Sequence, residues 1–453
     1  MKTPRKILAF VLLACATAAW AEPQPEPGVA PTGADESEQN DSWGDDEGWV
    51  EDDWEEAGWA DTAESPWTGF IELAAGSRWN RDAAVGRRAT LGEIRWRLER
   101  NWALAGGELS FRGDFTADGV LDEVDAELRE LAYGFSAGKT DFRLGRQVLT
   151  WGTGDLLFLN DLFPKGWVSF FAGRDDEYLK APADAIRVTR YGEWFNIDLA
   201  ALPRFNSDEY LTGGRLSFFS PEKGRIVAPS PPLAAAEPSA SLSHAEWALR
   251  LFRNVDGNEL AAYGFDGYYH QPAPVGPAGV LGFPRLRAFG ASWRRTLGSG
   301  IFSTEVAHYQ SRDDRAGTNS AIPNSQWRYL AAFEWEAVPR LTVGFQFYME
   351  RTLEHGAQLA NSPWPQFETR KNRSWITNRL TWRTRRDRVV WSLFSFYSPA
   401  DDDAYLRPQV SWRINDAWLF NAGGNIFLGD EEHRFFAQFQ DNNNLYARIR
   451  YSY

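Results

Sequence analysis

The sequence predicts an all-β chain, a transmembrane antiparallel up-and-down barrel of about eighteen strands. Three observations carry that expectation. The last stretch, LYARIRYSY, alternates apolar Leu445, Ala447, Ile449, Tyr451 and Tyr453 with Tyr446, Arg448, Arg450 and Ser452, so one face suits lipid and the other water. Tight turns and long connections alternate along residues 66–453. Aromatic residues make up 15% of the chain while its mean hydropathy is negative, at -0.46, which suits a barrel better than a helical membrane protein.

The N-terminus reads as a secretory signal over residues 1–21. Lys2, Arg5 and Lys6 precede the apolar run Ile7 to Ala14, and Ala19-Trp20-Ala21 forms a small-x-small cleavage site. The run is too short to cross a bilayer as a helix. Leu12 to Cys15 offers an alternative lipoprotein-type cut. Cys15 is the single cysteine, so a chain cut before Glu22 has neither disulfide nor sulfur ligand.

Residues 22–65 carry sixteen Asp and Glu and no Lys or Arg, which accounts for most of the formal charge of -14. Trp43, Trp49, Trp54 and Trp59 are interleaved with these acids at spacings of five and six, which match neither helix nor strand periods. This segment is expected to be a disordered periplasmic tail, either a solvated tether or a docking segment for a periplasmic protein partner.

From residue 66 to residue 453 the strand pattern recurs. Glu93, Arg95, Arg97 and Glu99 oppose Ile94, Trp96 and Leu98; Phe345, Phe347 and Met349 oppose Gln346, Tyr348 and Glu350. Tight turns fall near Ala105-Gly106, Ala137-Gly138, Tyr191-Gly192, Val255 to Asn258, Gly298 to Gly300, Val338-Pro339, Arg385-Arg386 and Asn415-Asp416. Between them come Trp151 to Pro182, Asn206 to Ser243, Gln271 to Phe283, Ser311 to Asn324, Leu353 to Arg370 and Gly429 to Asn443. This rhythm gives eighteen strands with both termini in the periplasm. The alternation breaks near Glu130 and Arg146, which implies a bulge or a strand rising above the lipid.

The inward face is expected to line an aqueous pore with Arg95, Arg97, Arg112, Arg129, Arg187, Arg250, Arg328, Arg373, Arg379, Arg407, Arg448 and Arg450. These arginines either pair with acids across neighbouring strands or set up a field that favours anions. The loop after Thr150 combines Leu156 to Leu159, Phe163, Trp167, Phe170 and Phe171 with dense charge. Such a loop must bury its apolar half, most economically in the barrel mouth. That would place Asp155, Asn160, Asp161, Lys165, Arg174, Asp175, Asp176 and Glu177 at a constriction, or in a cap that only packs.

Gly145-Arg146-Gln147, Leu149, Trp151-Gly152 and Gly173-Arg174-Asp175 resemble a segment of Gram-negative outer-membrane barrels of the alginate-export and porin-like kind. The resemblance implies an eighteen-stranded channel with an arginine-rich pore narrowed by long loops. The chain departs from the alginate-export pattern at Thr153-Gly154-Asp155-Leu156-Leu157, so alginate is not carried over as cargo.

His244, His270, His308, His355 and His433 are scattered, and no GxSxG, HExxH, phosphate-binding glycine loop or EF-hand run occurs. The expectation is therefore no enzyme, cofactor, metal centre or nucleic-acid partner. Acids at Asp184 to Asp198 and Asp401 to Asp403 are read as an outer-leaflet rim that meets lipopolysaccharide through divalent cations. The expected function is passive passage of small anionic or polar solutes, or export of a polyanion, across the outer membrane. The alternatives are a barrel scaffold that docks a periplasmic partner through the tail, and an outer-membrane enzyme.

Overall fold

A computed structural model describes residues 66–275 and 280–453. The signal, the acidic tail and its four tryptophans lie outside the described residues. The strands in chain order are β1 (Thr68–Arg78), β2 (Ala89–Leu104), β3 (Gly107–Asp118), β4 (Glu123–Ala137), β5 (Thr140–Val148), β6 (Pro182–Arg190) and β7 (Asn196–Leu202). A small hairpin, β8 (Phe218–Ser220) and β9 (Arg225–Val227), follows within a connection. The remaining strands are β10 (Glu246–Val255), β11 (Asn258–Tyr268), β12 (Arg285–Leu297), β13 (Gly300–Ser311), β14 (Gln326–Val338), β15 (Leu341–Thr352), β16 (Asn372–Thr384), β17 (Val389–Ser398), β18 (Asp403–Arg413), β19 (Trp418–Gly429) and β20 (Asn444–Ser452).

Every barrel strand pairs antiparallel with its neighbours, β7 pairs with β10 across the hairpin, and β1 pairs with β20 from Phe70↔Ser452 to Arg78↔Asn444. The eighteen-stranded sheet is closed, which leaves no unpaired edge for lipid to meet. The terminal aromatic holds this seam. Tyr453 accepts from Trp96 Nε1 at 2.7 Å through its hydroxyl, donates from it to the Arg97 carbonyl at 2.9 Å, and exchanges backbone bonds with Gly69.

The two faces separate as the alternation requires. Ile71, Leu73, Ile94, Trp96, Phe345, Phe347 and Leu445 are exposed on the outside, while Glu72, Glu93, Arg95, Gln346, Glu350 and Arg448 are buried inside. A soluble domain would not leave an apolar belt of that extent uncovered. In a membrane the same belt is the contact with acyl chains.

All eight tight turns lie at one end, together with both ends of the barrel chain. At Asp256-Gly257 both central residues have positive φ, 49° and 71°, the geometry that matches hairpin twist. The long connections gather at the other end. Two connections there are nonetheless short, residues 119–122 and 399–402, so that end is not uniformly long. The alternation break near Glu130 is a bulge, with the register slipping between Arg112 and Gly113. No slip occurs at Arg146. Arg146 turns outward, opposite Asp184 at 3.2 Å, near the long-loop end.

Candidate functional site

Residues 149–181 fold into the barrel. They form a short helix, α1 (Trp167–Ala172), and a 3-10 turn, Asp176–Leu179, linked by Gly173 with φ 91°. Leu157, Leu159, Phe163, Val168, Phe170, Phe171 and Leu179 are buried against inward aromatics of the wall, including Tyr263, Phe265, Tyr309, Phe394 and Tyr405. Phe171 sits 5.7 Å from Tyr405, 5.6 Å from Phe427 and 5.1 Å from Phe439 between ring centroids. Burial of this apolar half provides the driving force for docking. The charged residues fix its register.

Three polar anchors hold the loop. Asp175 accepts from Arg448 at 2.7 Å and from Arg450 at 3.0 Å, and both arginines also reach Glu72 on β1. Beside it, Asp176 meets Arg407 at 2.5 Å and Glu177 meets Arg97 at 2.5 Å. The Tyr178 hydroxyl accepts from Arg97 and donates to Asp114, each at 2.7 Å. Arg95 lies 4.1 Å and Arg129 4.6 Å from the centroid of the Tyr178 ring. Arg174 forms the second anchor, bonding Glu93 at 2.6 Å, and Arg215 from the β7–β10 connection shares that carboxylate at 3.3 Å.

The third anchor holds the loop's first half. Glu305 on β13 accepts from the backbone N–H of Thr153, from Gly154 N–H at 2.9 Å and from Asn160 at 2.6 Å. Asp155 binds Arg379 through both carboxylate oxygens, at 2.6 and 2.8 Å. Asp161 pairs with Lys165 at 2.9 Å and accepts from Thr150 at 2.9 Å.

Burial works against these loop carboxylates, and the arginines overcome it. For Asp175, desolvation raises the pKa, but Arg448 and Arg450 hold it well below the usual range. Desolvation likewise opposes ionisation of Glu177, and Arg97 brings its pKa down. The anchor is ionised at neutral pH.

All twelve sequence-assigned arginines project inward. Arg95, Arg97, Arg129, Arg379, Arg407, Arg448 and Arg450 touch the loop. Arg112 pairs with Glu99, Arg187 with Asp198, and Arg373 with Glu350 and Asp401. Arg250 and Arg328 make no ion pair among the described residues; they lie over the rings of Phe252 at 4.4 Å and Tyr309 at 3.9 Å.

The closed eighteen-stranded barrel has solved counterparts. The fold is that of the outer-membrane porins. Acinetobacter baumannii OccAB2 matches with a TM-score of 0.51 at 13% identity, over 86% of this chain and 98% of that one. Pseudomonas aeruginosa OccK11 (OpdR) matches with a TM-score of 0.50 at 9% identity, over 86% and 95%. Acinetobacter baumannii OccAB1 matches with a TM-score of 0.50 at 10% identity, over 85% and 95%. No protein-family model and no curated protein sequence matches the chain.

The motif that suggested a porin-like barrel has structural reasons. Gly145 has φ 125°, and a Cβ there would strike the Leu131 carbonyl oxygen on β4. At Gly152, φ is 88° and the Glu305 carboxylate lies 3.1 Å from a would-be Cβ. Gly173 lies against the Tyr446 ring with no room for a side chain.

Two acid readings are corrected. Asp198 is not at a rim: it is buried inside, accepting from Trp151 Nε1 at 3.2 Å and pairing with Arg187 at 2.7 Å. Asp401 and Asp403 are buried as well, the first among Arg370, Arg373 and Arg434, the second accepting from the Phe436 N–H. Their neighbours are cations and amides, and Asp403 Oδ1 is buried without a hydrogen-bond partner. Glu72, Glu305, Tyr178 and Arg215 were not singled out from sequence. Glu72 was readable, since it alternates with Ile71 and Leu73. Arg215 carried no signal, because nothing periodic places a residue of a long connection.

Proposed function

We propose that the chain is an outer-membrane channel for passive passage of small anionic or polar solutes, or for export of a polyanion, with residues 149–181 setting its bore. The tight turns and chain ends would face the periplasm and the long connections the exterior. The observation that carries this reading is the inward set of arginines, seven of them engaged by the docked loop. An apolar outside confines the barrel to lipid, and eighteen strands enclose more interior than one loop's side chains need. Ion pairing neutralises most of the guanidinium charge locally. Arg250, which has no carboxylate within ion-pair distance, leaves positive charge on the wall and favours entry of anions, whereas the charge of Arg328 is partly offset by Glu350, its register partner on β15.

The reversal potential of single channels in a salt gradient tests this. An anion-leaning value supports the proposal. A cation-selective pore would overturn the assigned preference, and a barrel that inserts without conducting would overturn the channel.

A further inference from the structure

We propose that the outer wall carries a site for one anionic phospholipid of the leaflet at the tight turns, its phosphate held by Arg253 and Arg295 and one acyl chain lying in a groove from β10 to β15. The inference rests on the outer-membrane reading above, which makes that leaflet the periplasmic one. On this sector the lipid-facing side chains become small in neighbouring strands: Ala262 lies opposite Ala291, and Thr304 opposite Ala331. They floor a groove of about 720 Å³ whose sides include Leu260, Trp293 and Phe347. Elsewhere on the belt, large side chains such as Trp96, Phe115, Ile186 and Trp391 stand out.

The groove is inclined. In its lining, Arg253 and Leu260 are each two residues from a strand end at the tight turns, Trp293 and Thr304 four, Phe347 six and Ala331 seven. It therefore starts near the headgroups at β10 and rises to mid-wall at β14 and β15. Five strand spacings make about 24 Å, and at a strand tilt of about 40° that path climbs about 15 Å, one leaflet of a roughly 30 Å hydrocarbon core. A single acyl chain follows such a path from headgroup to midplane.

The cations stand at the low end. Arg253 lines the groove there, and among the described residues it makes no ion pair or hydrogen bond, only a ring contact with Trp194 at 6.0 Å. Arg295 follows Trp293 on the outward face of β12 and lies opposite Asn258, whose side chain accepts from Trp293 Nε1 at 3.0 Å. Arg295 Nε donates to the Thr296 carbonyl at 3.3 Å, and its guanidinium has no ion pair among the described residues. Glu193 and Asp256, the acids of the two flanking turns, pair with neither arginine. Two strand spacings and one step along the strand separate the arginines by about 12 Å, a span that two long guanidinium side chains bridge across one phosphate. Tyr191, Trp194 and Phe195, exposed in the β6–β7 turn, mark this level as the interface. Guanidiniums left without carboxylates beside such aromatics select an anionic headgroup.

The test uses the full chain folded in detergent, with native mass spectrometry reading bound phosphatidylglycerol and diacylglycerol of the same acyl chains. The variants are the double Arg253→Gln/Arg295→Gln and the groove-filling Ala291→Trp, each checked for folding by heat-modifiable migration. One phosphatidylglycerol per wild-type barrel is expected, with binding weakened about thirtyfold in the double variant. Ala291→Trp should lose it as well, and diacylglycerol should bind weakly and be indifferent to the arginines. Unchanged phosphatidylglycerol binding in the double variant would overturn the site, as would diacylglycerol held as tightly. An Ala291→Trp change that dissociates an oligomer while sparing phosphatidylglycerol would instead assign the groove to a second copy. Conductance recorded on the same preparations separates the two proposals: conducting barrels whose lipid binding ignores the arginines remove only the lipid site.

Discussion

Asp175, on the folded-in loop, accepts a 2.7 Å hydrogen bond from Arg448 on β20, joining the middle of the chain to its last strand. Arg450 completes the clamp at 3.0 Å, and all three side chains are buried. Removing one member of such a group leaves the others uncompensated in a dry place, which costs more than the group contributes when whole.

Asp175→Asn is therefore expected to loosen the second half of the loop by about 3–5 kcal/mol, leaving Arg448 and Arg450 with Glu72 alone. Limited proteolysis reads this directly: cleavage within residues 165–181 should accelerate while the barrel stays heat-modifiable. Unchanged protection would mean that the aromatic packing alone holds the loop.

Acid should act on the same contact. The Asp175 and Glu177 pKa values are depressed in the folded chain, so their stabilisation is fully present above the unfolded carboxylate values and is lost as pH falls through the folded ones. Loop protection should be flat from about pH 8 to pH 5 and decline only below about pH 4. A transition near pH 6 would point to another group.

Gly173 turns the chain between α1 and the clamp at φ 91°, with the Tyr446 ring filling the space of a side chain. Gly173→Val should cost about 1–3 kcal/mol in backbone strain alone and displace Arg174 and Asp175 together. Gly86, also at positive φ but in open space, is the control: Gly86→Ala keeps the strain and lacks the clash, so it should leave protection of the loop unchanged.

How much of this was legible in the sequence follows from what each signal encodes. The period of two read the wall, because lipid outside and water inside impose opposite chemistries on neighbours such as Trp96 and Arg97. Turn residues such as Asp256-Gly257 read the ends. The clamp was only half visible: Arg448 and Arg450 are on a strand whose face is determined, but that Asp175 meets them depends on a loop path that no periodicity encodes. Asp198 and Asp403 misled for a related reason, since a carboxylate near a strand end says nothing about which buried cation or amide it will find.

Glu305 gathers two backbone donors and the Asn160 amide of the loop's first half. Glu305→Ala leaves those donors without an acceptor, at about 1–3 kcal/mol each, and should speed hydrogen exchange at Thr153 and Gly154. Exchange as slow as in the wild type would show that the Asp155–Arg379 pair suffices.

Arg250, half-buried on the inner wall without an ion pair, contributes charge to the interior that Arg112 and Arg187, paired with Glu99 and Asp198, do not. Arg250→Glu should lower the anion-to-cation permeability ratio roughly threefold, and Arg112→Gln should lower it less. Equal effects from both would mean that the pairs are open to water.

Single-channel conductance of wild type beside the Asp175→Asn/Glu305→Ala double variant is the most direct test, because it releases both halves of the loop while altering one inward side chain of the wall, on β13. If residues 149–181 set the bore, the double variant conducts more than the wild type at neutral pH, and the wild type approaches it on acidification. Equal conductance from two well-folded barrels would contradict the assignment of the loop as the constriction.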